Sequence, residues 1–383
     1  MRKTIYLDYN ATTPLDPLVK AAMLPFLEDC YGNPSSVHHV GRKARALLDE
    51  ARERVAKVWK AKPSEVVFTS GGTESNNLAI LGSARAWRNK GRHLITSRIE
   101  HHAVLNCFHY LQQKEGFEVS YLPVDSRGLV SPDDLAAALR TDTILVSVMS
   151  ANNEVGSIQP VSDLGALCRA RGVLFHTDAV QWFGKEPFDS IHQFNADLVS
   201  CCSHKFHGPK GAGALFVRSP LRPDPILFGG SHENERRAGT ENVPAVAGFA
   251  LASEFFVERP VFDRSLLAPL SLSLVEALRS IPGLVVFSDS SSGLANTVSF
   301  AVPRSDSLTL LANLDLDGIC ASSGSACSAG SLNPSHVLNA MGASAAEANS
   351  LVRFSLGRSS SPADIAFVSS TLPEIIFRSQ HLK

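Results

Sequence analysis

The chain has almost no net charge: 36 Lys and Arg against 37 Asp and Glu leave −1. That balance gives no footprint for nucleic acid or an anionic membrane surface. No apolar run reaches the length of a membrane span. The opening Met1-Arg2-Lys3-Thr4-Ile5-Tyr6-Leu7-Asp8 lacks the long apolar stretch of a secretory leader. Cysteine is sparse and odd in number: Cys30, Cys107, Cys168, Cys201, Cys202, Cys320 and Cys327 make seven, scattered along the chain. This pattern suits free thiols in a reducing cytoplasm and not a disulfide framework. No repeat period is visible.

What is present is an ordinary globular composition, 44% apolar and 19% charged. At 383 residues the chain exceeds the usual size of a single core, which predicts two domains. The expected partition is a large domain over 14–258 and a small domain built from 1–13 and 259–383. The turn Glu258-Arg259-Pro260, after Phe255-Phe256-Val257, marks the junction.

Short apolar runs set out the larger unit. Val66-Val67-Phe68-Thr69 reads as a strand entering Ser70-Gly71-Gly72-Thr73-Glu74-Ser75-Asn76 and then a helix to Trp87. A strand, a glycine turn and a helix start form a phosphate cradle, because glycines admit the anion to backbone N–H groups. A plain tight turn with Ser70 or Thr73 as N-cap accounts for the same residues. No Walker lysine follows Gly72, which argues against a nucleoside triphosphate.

Further strands are predicted at His93-Leu94-Ile95-Thr96, at Thr143 to Met149, and at Val173 to Asp178. Glu100-His101-His102 places two histidines side by side. On a helix these would point in different directions, which argues against a shared metal; one of them could lie flat on a planar ligand, but in isolation a histidine that simply caps or packs is the better reading. Asp197 to Gly211 begins as a buried strand and breaks into a polar turn at Gly208-Pro209. Lys205 then lies at the carboxyl end of a strand, where open α/β sheets bind ligands. There a lysine amine can attack a carbonyl and form a Schiff base. Taken alone, a loop lysine is an ordinary solvated charge.

Strands alternating with helices from Val66 to Val217 predict a parallel, doubly wound sheet. Its carboxyl edge would gather Thr73, His101, Asn153, Asp178, Gln181, Ser203, His204 and Lys205. A buried Asp178 needs a cationic partner, and a protonated pyridine nitrogen is one. Carboxylate, amides, lysine and phosphate cradle together fit pyridoxal phosphate.

The later chain adds other chemistry. Ala321 to Ser331 consists almost wholly of small residues and reads as a mobile loop, with Asn333-Pro334 opening a helix that Gly342 ends. Cys327 on that loop is a candidate nucleophile, whereas Cys201, Cys202 and Cys320 read as packing thiols. Cys201, Cys202, His204 and His207 resemble a zinc ligand set only superficially, and no metal is expected. Arg353, in the strand-like Leu351-Val352-Arg353-Phe354-Ser355-Leu356, is either a carboxylate clamp or half of a surface ion pair.

Eight stretches carry a family resemblance: Tyr6 to Pro14, Gly32-Asn33-Pro34-Ser35-Ser36, Thr69 to Asn77, Asn152-Asn153-Glu154-Val155-Gly156, His204 to Gly211, Arg237-Ala238-Gly239-Thr240-Glu241-Asn242, Ser322 to Cys327, and Val352 to Arg358. In this order they resemble the class V, fold-type I pyridoxal-phosphate enzymes, specifically the cysteine desulfurases of nitrogen fixation and iron–sulfur assembly.

The resemblance implies a Schiff base on Lys205 and a pyridine nitrogen held protonated by Asp178, with His101 stacked on the ring. It implies that Asn153 and Gln181 hydrogen-bond the phenolic oxygen and its surroundings. Thr73, Ser203, His204 and the Gly72 N–H would hold phosphate, and Thr240 would reach the phosphate of a neighbouring subunit in a homodimer. Arg353 would bind the substrate carboxylate, with Asn153 beside it. Lys205 would move the α-proton of L-cysteine, and Cys327 would take the sulfur as a persulfide and pass it to an acceptor or iron–sulfur scaffold protein.

Asn333 departs from the family's usual glutamate at that position, and the chain ends at Lys383, short of members whose tails dock scaffolds. Alternatives are a selenocysteine lyase or related lyase or aminotransferase of the same class, and a non-catalytic sulfur-relay protein. An aminotransferase has no need of Cys327, and a non-catalytic relay has no need of Lys205 and Asp178.

Overall fold

A computed structural model describes residues 4–381 apart from 290, 303 and 325–333. Its largest sheet has seven strands. Their spatial order is Val66–Thr69, Gly213–Val217, Leu198–Cys202, Leu174–Asp178, Thr143–Ser147, His93–Ser97 and Glu118–Leu122. The five strands from Leu198–Cys202 to Glu118–Leu122 pair in parallel.

Helices cover both faces, so four of these five parallel strands are buried almost throughout and read as apolar runs without alternation. Glu118–Leu122 is the exception. It lies at the sheet edge and is mostly half-buried, so its polar-apolar mixture gave no clear signal in the sequence.

The sheet is mainly parallel, as expected, with a reversal at one strand: Gly213–Val217 runs antiparallel to both its neighbours. Only a tight connection separates Cys202 from Gly213, and a parallel return needs a crossover of a dozen or more residues. The chain therefore doubles back as a hairpin around Lys205.

Two cores lie apart in sequence. One is centred on Trp59, Phe183, Phe206, Phe216 and Phe249 beside the large sheet. The other joins Ile5, Leu7 and Tyr9 to Phe262, Leu274, Phe300, Phe354 and Ile375. Ile5–Tyr6 pairs in parallel with Ile319–Cys320, and Thr297–Ala301 lies between Leu351–Ser355 and Val285–Val286. The first residues of the chain thus pack with its last third. Among the described residues no helix is long and apolar enough to cross a membrane.

Side chains cap the helices that start at Pro17 and Pro362. Asp16 accepts the Leu18 N–H ahead of a helix with Pro17 at its first position, and Ser361 caps Pro362–His381 by exchanging hydrogen bonds with Asp364. From Gly72 to Trp87 the chain is continuously helical, with a π turn at Leu78–Gly82.

The glycine turn ahead of that helix is held by close backbone packing. A Cβ on Gly213 would lie 2.7 Å from Gly71 Cα and 2.8 Å from the Cys201 carbonyl oxygen. Neither neighbour is a flexible side chain, so Gly213→Ala must displace the strand or the turn. We expect it to cost about 1–3 kcal/mol, as overpacking does, and to weaken retention of a phosphate-bearing ligand. Thermal melting and ligand retention on gel filtration check both effects.

Candidate active site

A cavity of about 190 Å³ opens at the carboxyl edge of the large sheet. Lys205 enters it from the single helical turn Ser203–Lys205 that follows Leu198–Cys202. Its Nζ donates to two main-chain oxygens, Asn10 O at 2.7 Å and Ala11 O at 2.9 Å. Burial lowers its pKa, and the neighbouring Arg353 pushes the same way while Cys202 and Asp178 oppose. The amine is thereby brought closer to its nucleophilic, unprotonated form.

Asp178 ends its strand inside the cavity. One carboxylate oxygen accepts Asn76 Nδ2 at 2.7 Å and the other accepts the Val180 N–H at 3.0 Å. Burial raises its pKa against these hydrogen bonds and Lys205, so a cation brought beside it would relieve a standing desolvation cost. Asn76 also keeps a buried Oδ1 with no partner.

His101 lines the same cavity as the N-cap of His102–Lys114, its Nδ1 accepting the Ala103 N–H at 3.1 Å. It therefore precedes the helix, where the sequence suggested a position on it. Burial and Lys205 push its pKa down to about 4, so its ring is uncharged at neutral pH. His204 is held by Thr12 at 3.1 Å, and its pKa is pushed down to about 3.

Gly72, Thr73, Asn153, Gln181 and Arg353 complete the expected set around the cavity. Two expected phosphate contacts lie elsewhere. Ser203 is fully buried and donates to the Pro209 and Ala212 carbonyls at 2.5 and 3.2 Å, so its hydroxyl braces the hairpin. This corrects the reading of Ser203 as a phosphate contact. Cys202, read from sequence as a packing thiol, takes the cavity position instead; burial pushes its pKa up to about 11 against the Lys205 charge and the Gly72 and Lys205 backbone. Thr240 is exposed and lines a separate cleft with Ser70, Glu233 and Arg237. Cys327 lies outside the described residues.

Arg353 is one of the largest fully buried side chains. Nη2 pairs with Asp8 at 2.8 Å, and Nη1 donates to Asn153 O at 2.8 Å and Gly324 O at 2.9 Å. Its Nε has no partner among the described residues. It is no surface ion pair, and its Asp8 bond shows that it can hold a carboxylate.

Sequence reasoning passed over Asn10, Asn76 and Asp8 as site residues. All three belong to stretches quoted for the family resemblance, but only the fold carries their side chains or carbonyls to Lys205, Asp178 and Arg353.

The donor set fits pyridoxal phosphate: an amine, a buried carboxylate awaiting a cation, an uncharged imidazole, and a glycine turn at a helix start.

Glu100, next to His101, gives a pH signature. It is fully buried, Oε1 accepts from Ser97 and from the Met149 N–H, and Oε2 has no partner. Burial lifts its pKa to about 8. The unfolded chain loses this proton near pH 4.5 and the folded one near 8, so its stabilising contribution is complete below 4.5 and lost as pH rises through 8. Glu100→Gln mimics the neutral acid. The variant should melt increasingly above wild type between pH 5 and 8, as differential scanning fluorimetry across pH would report. A constant difference across that range would refute an uncharged Glu100.

Residues 5–368 match the class-V aminotransferase family. A relative named cysteine desulfurase IscS, from Dictyoglomus turgidum, is 45% identical over 98% of this chain and 95% of its own length. A mitochondrial cysteine desulfurase from Candida albicans is also 45% identical, over 97% of this chain and 76% of its own. Among solved structures, a NifS-like protein superposes with a TM-score of 0.91 at 38% identity, covering 98% of this chain and all of that one. A structure of SspA in complex with cysteine gives 0.80 at 36% identity, covering 93% and 99%. The fold-type I architecture expected from the sequence holds, and the chain belongs to the class-V aminotransferase family.

Proposed function

We propose that the chain is a pyridoxal-phosphate-dependent cysteine desulfurase. It converts L-cysteine to L-alanine and supplies the sulfur, through a persulfide on Cys327, for iron–sulfur or other thio-cofactor assembly. The observation that carries this reading is the meeting of Lys205, Asp178, His101 and Arg353 around one cavity. Relatives named cysteine desulfurase and a neighbour solved with cysteine support the substrate.

Lys205 and Asp178 would hold the cofactor at amine and ring, Gly72, Thr73 and His204 its phosphate side, and Asn153 and Gln181 its phenolic oxygen. When bound, the cofactor supplies a carbonyl for amine exchange and an electron-withdrawing ring. The residues of this chain do the rest. Arg353 orients the amino acid by its carboxylate. Lys205, whose pKa is lowered by burial, takes the α-proton once free. Asp178 would favour positive charge on a ring nitrogen brought beside it. Cys327 attacks the substrate sulfur as thiolate, a new S–S bond forms as C–S breaks, and the carbon fragment takes a proton to become alanine.

We further propose a homodimer in which Thr240 serves the neighbouring subunit, a division into domains 14–258 and 1–13 with 259–383, a cytoplasmic setting, and transfer of sulfur to an acceptor or scaffold protein.

Two variants separate the roles. Lys205→Ala should lose the visible cofactor band and turnover by at least three orders of magnitude, on the order of removing a nucleophile or proton-transfer residue. Cys327→Ser should stay yellow and bind cysteine with a spectral change, yet release almost no alanine. Wild type treated with cysteine should gain one sulfur on the Cys327 peptide by mass spectrometry, removable with dithiothreitol. Near wild-type turnover in Lys205→Ala, or sulfur found on Cys202 or Cys320 instead, would overturn the assignment concerned.

A further inference from the structure

Behind the cavity wall lies a second buried amine. Lys185 is 3% exposed, and it is not among the cavity-lining residues. Its Nζ donates to Asn10 Oδ1 at 2.5 Å and to Gln181 Oε1, and lies 5.2 Å from the centre of the Phe262 ring. These contacts are neutral. The adjacent carboxylate, Glu186, is engaged by Arg264 at 3.0 Å. A positive charge compensated only by two amides and a ring is costly to bury, so burial pushes this amine toward its neutral form.

The geometry gives it a specific consequence. The Lys185 amine donates to both amides, and an amide that accepts from it turns its oxygen inward. Both amides do. Asn10 is left with Nδ2 directed at Thr297 Oγ1 at 2.8 Å and Asn153 O at 3.3 Å. Gln181 is left with Nε2 at the cavity wall, donating to Asn10 O at 3.0 Å. The same carbonyl accepts Lys205 Nζ at 2.7 Å. Two contacts therefore hold the Gln181 amide, Lys185 at its oxygen and Asn10 O at its nitrogen; without Lys185 only the carbonyl contact would oppose a turn that makes the donor an acceptor.

We infer that Lys185 is a positioning residue, which fixes the Gln181 amide so that its N–H, and not its oxygen, is presented to an anionic oxygen of the ligand held at Lys205. The inference rests on the cofactor reading above. Burial, and after it the like charges of Lys205 and Arg353, hold the Lys185 pKa well below the usual lysine value, with Cys202 and Glu186 opposing.

The test is a pH titration of the visible absorbance band of the loaded enzyme without substrate. An N–H facing an anionic oxygen favours the deprotonated form of the chromophore and lowers its titration midpoint. Lys185→Met should therefore raise the midpoint by about one unit, the size of one hydrogen bond to a charged group. Gln181→Ala should do the same, and the double variant should move no further. A role confined to packing, or to bracing Asn10, would give additive shifts or none, and either result overturns the proposal.

Should Lys185→Met fail to fold, Gln181→Glu decides. Its new carboxylate pairs with Lys185 and keeps the fold but offers no N–H, so the midpoint should still rise. An unmoved midpoint refutes the inference. Wild type with no visible band would instead overturn the cofactor reading on which it stands.

Discussion

The contact on which the site depends is made by a main-chain carbonyl. Asn10 O receives Lys205 Nζ and Gln181 Nε2, while the Asn10 side chain binds Lys185, Asn296 and Thr297. Asn10 follows the strand Ile5–Tyr6, which packs with the last third of the chain, yet it touches the hairpin and turn of the large sheet. Both lysines are therefore oriented by a residue from the other core. Lys185 is buried and Lys205 is half-buried at the cavity, and hydrogen bonds to carbonyls and amides help to solvate both amines.

Burial with few opposite charges runs through the whole site. It lowers the pKa of Lys205, raises that of Asp178, and strips charge from His101 and His204. The pattern is that of a pocket built to receive charge of both signs from a ligand. A polar ring with an anionic tail would supply the cation that Asp178 lacks and the anion that the Gly71-Gly72 turn can accept.

Much of this was legible in the sequence. Val66–Thr69, Leu174–Asp178 and Leu198–Cys202 announced themselves as uninterrupted apolar runs because both their faces are covered, and the residues at their carboxyl ends then had to share an edge. Lys205, Asp178 and His101 followed from that rule. Three things did not follow. The reversed strand Gly213–Val217 looks in sequence like its parallel neighbours, since burial and not direction sets its composition. The choice between Cys202 and Ser203 turns on which of two successive side chains faces the cavity, a single step in a strand that then breaks into a helical turn. The weight carried by Asn10 and Lys185 arises from contacts more than 170 residues apart, which local spacing does not encode.

The pairing of Ile5–Tyr6 with Ile319–Cys320 also bears on how the molecule comes into being. A ribosome adds roughly 5–20 residues each second. The opening strand must then wait on the order of fifteen seconds to a minute for its partner to emerge. Only in the last part of that interval, after Val217 has emerged, is the large sheet complete, and the strand that leads to Asn10 still lacks its partner. The residue that receives Lys205 therefore gains the final anchor of its strand after the sheet it serves.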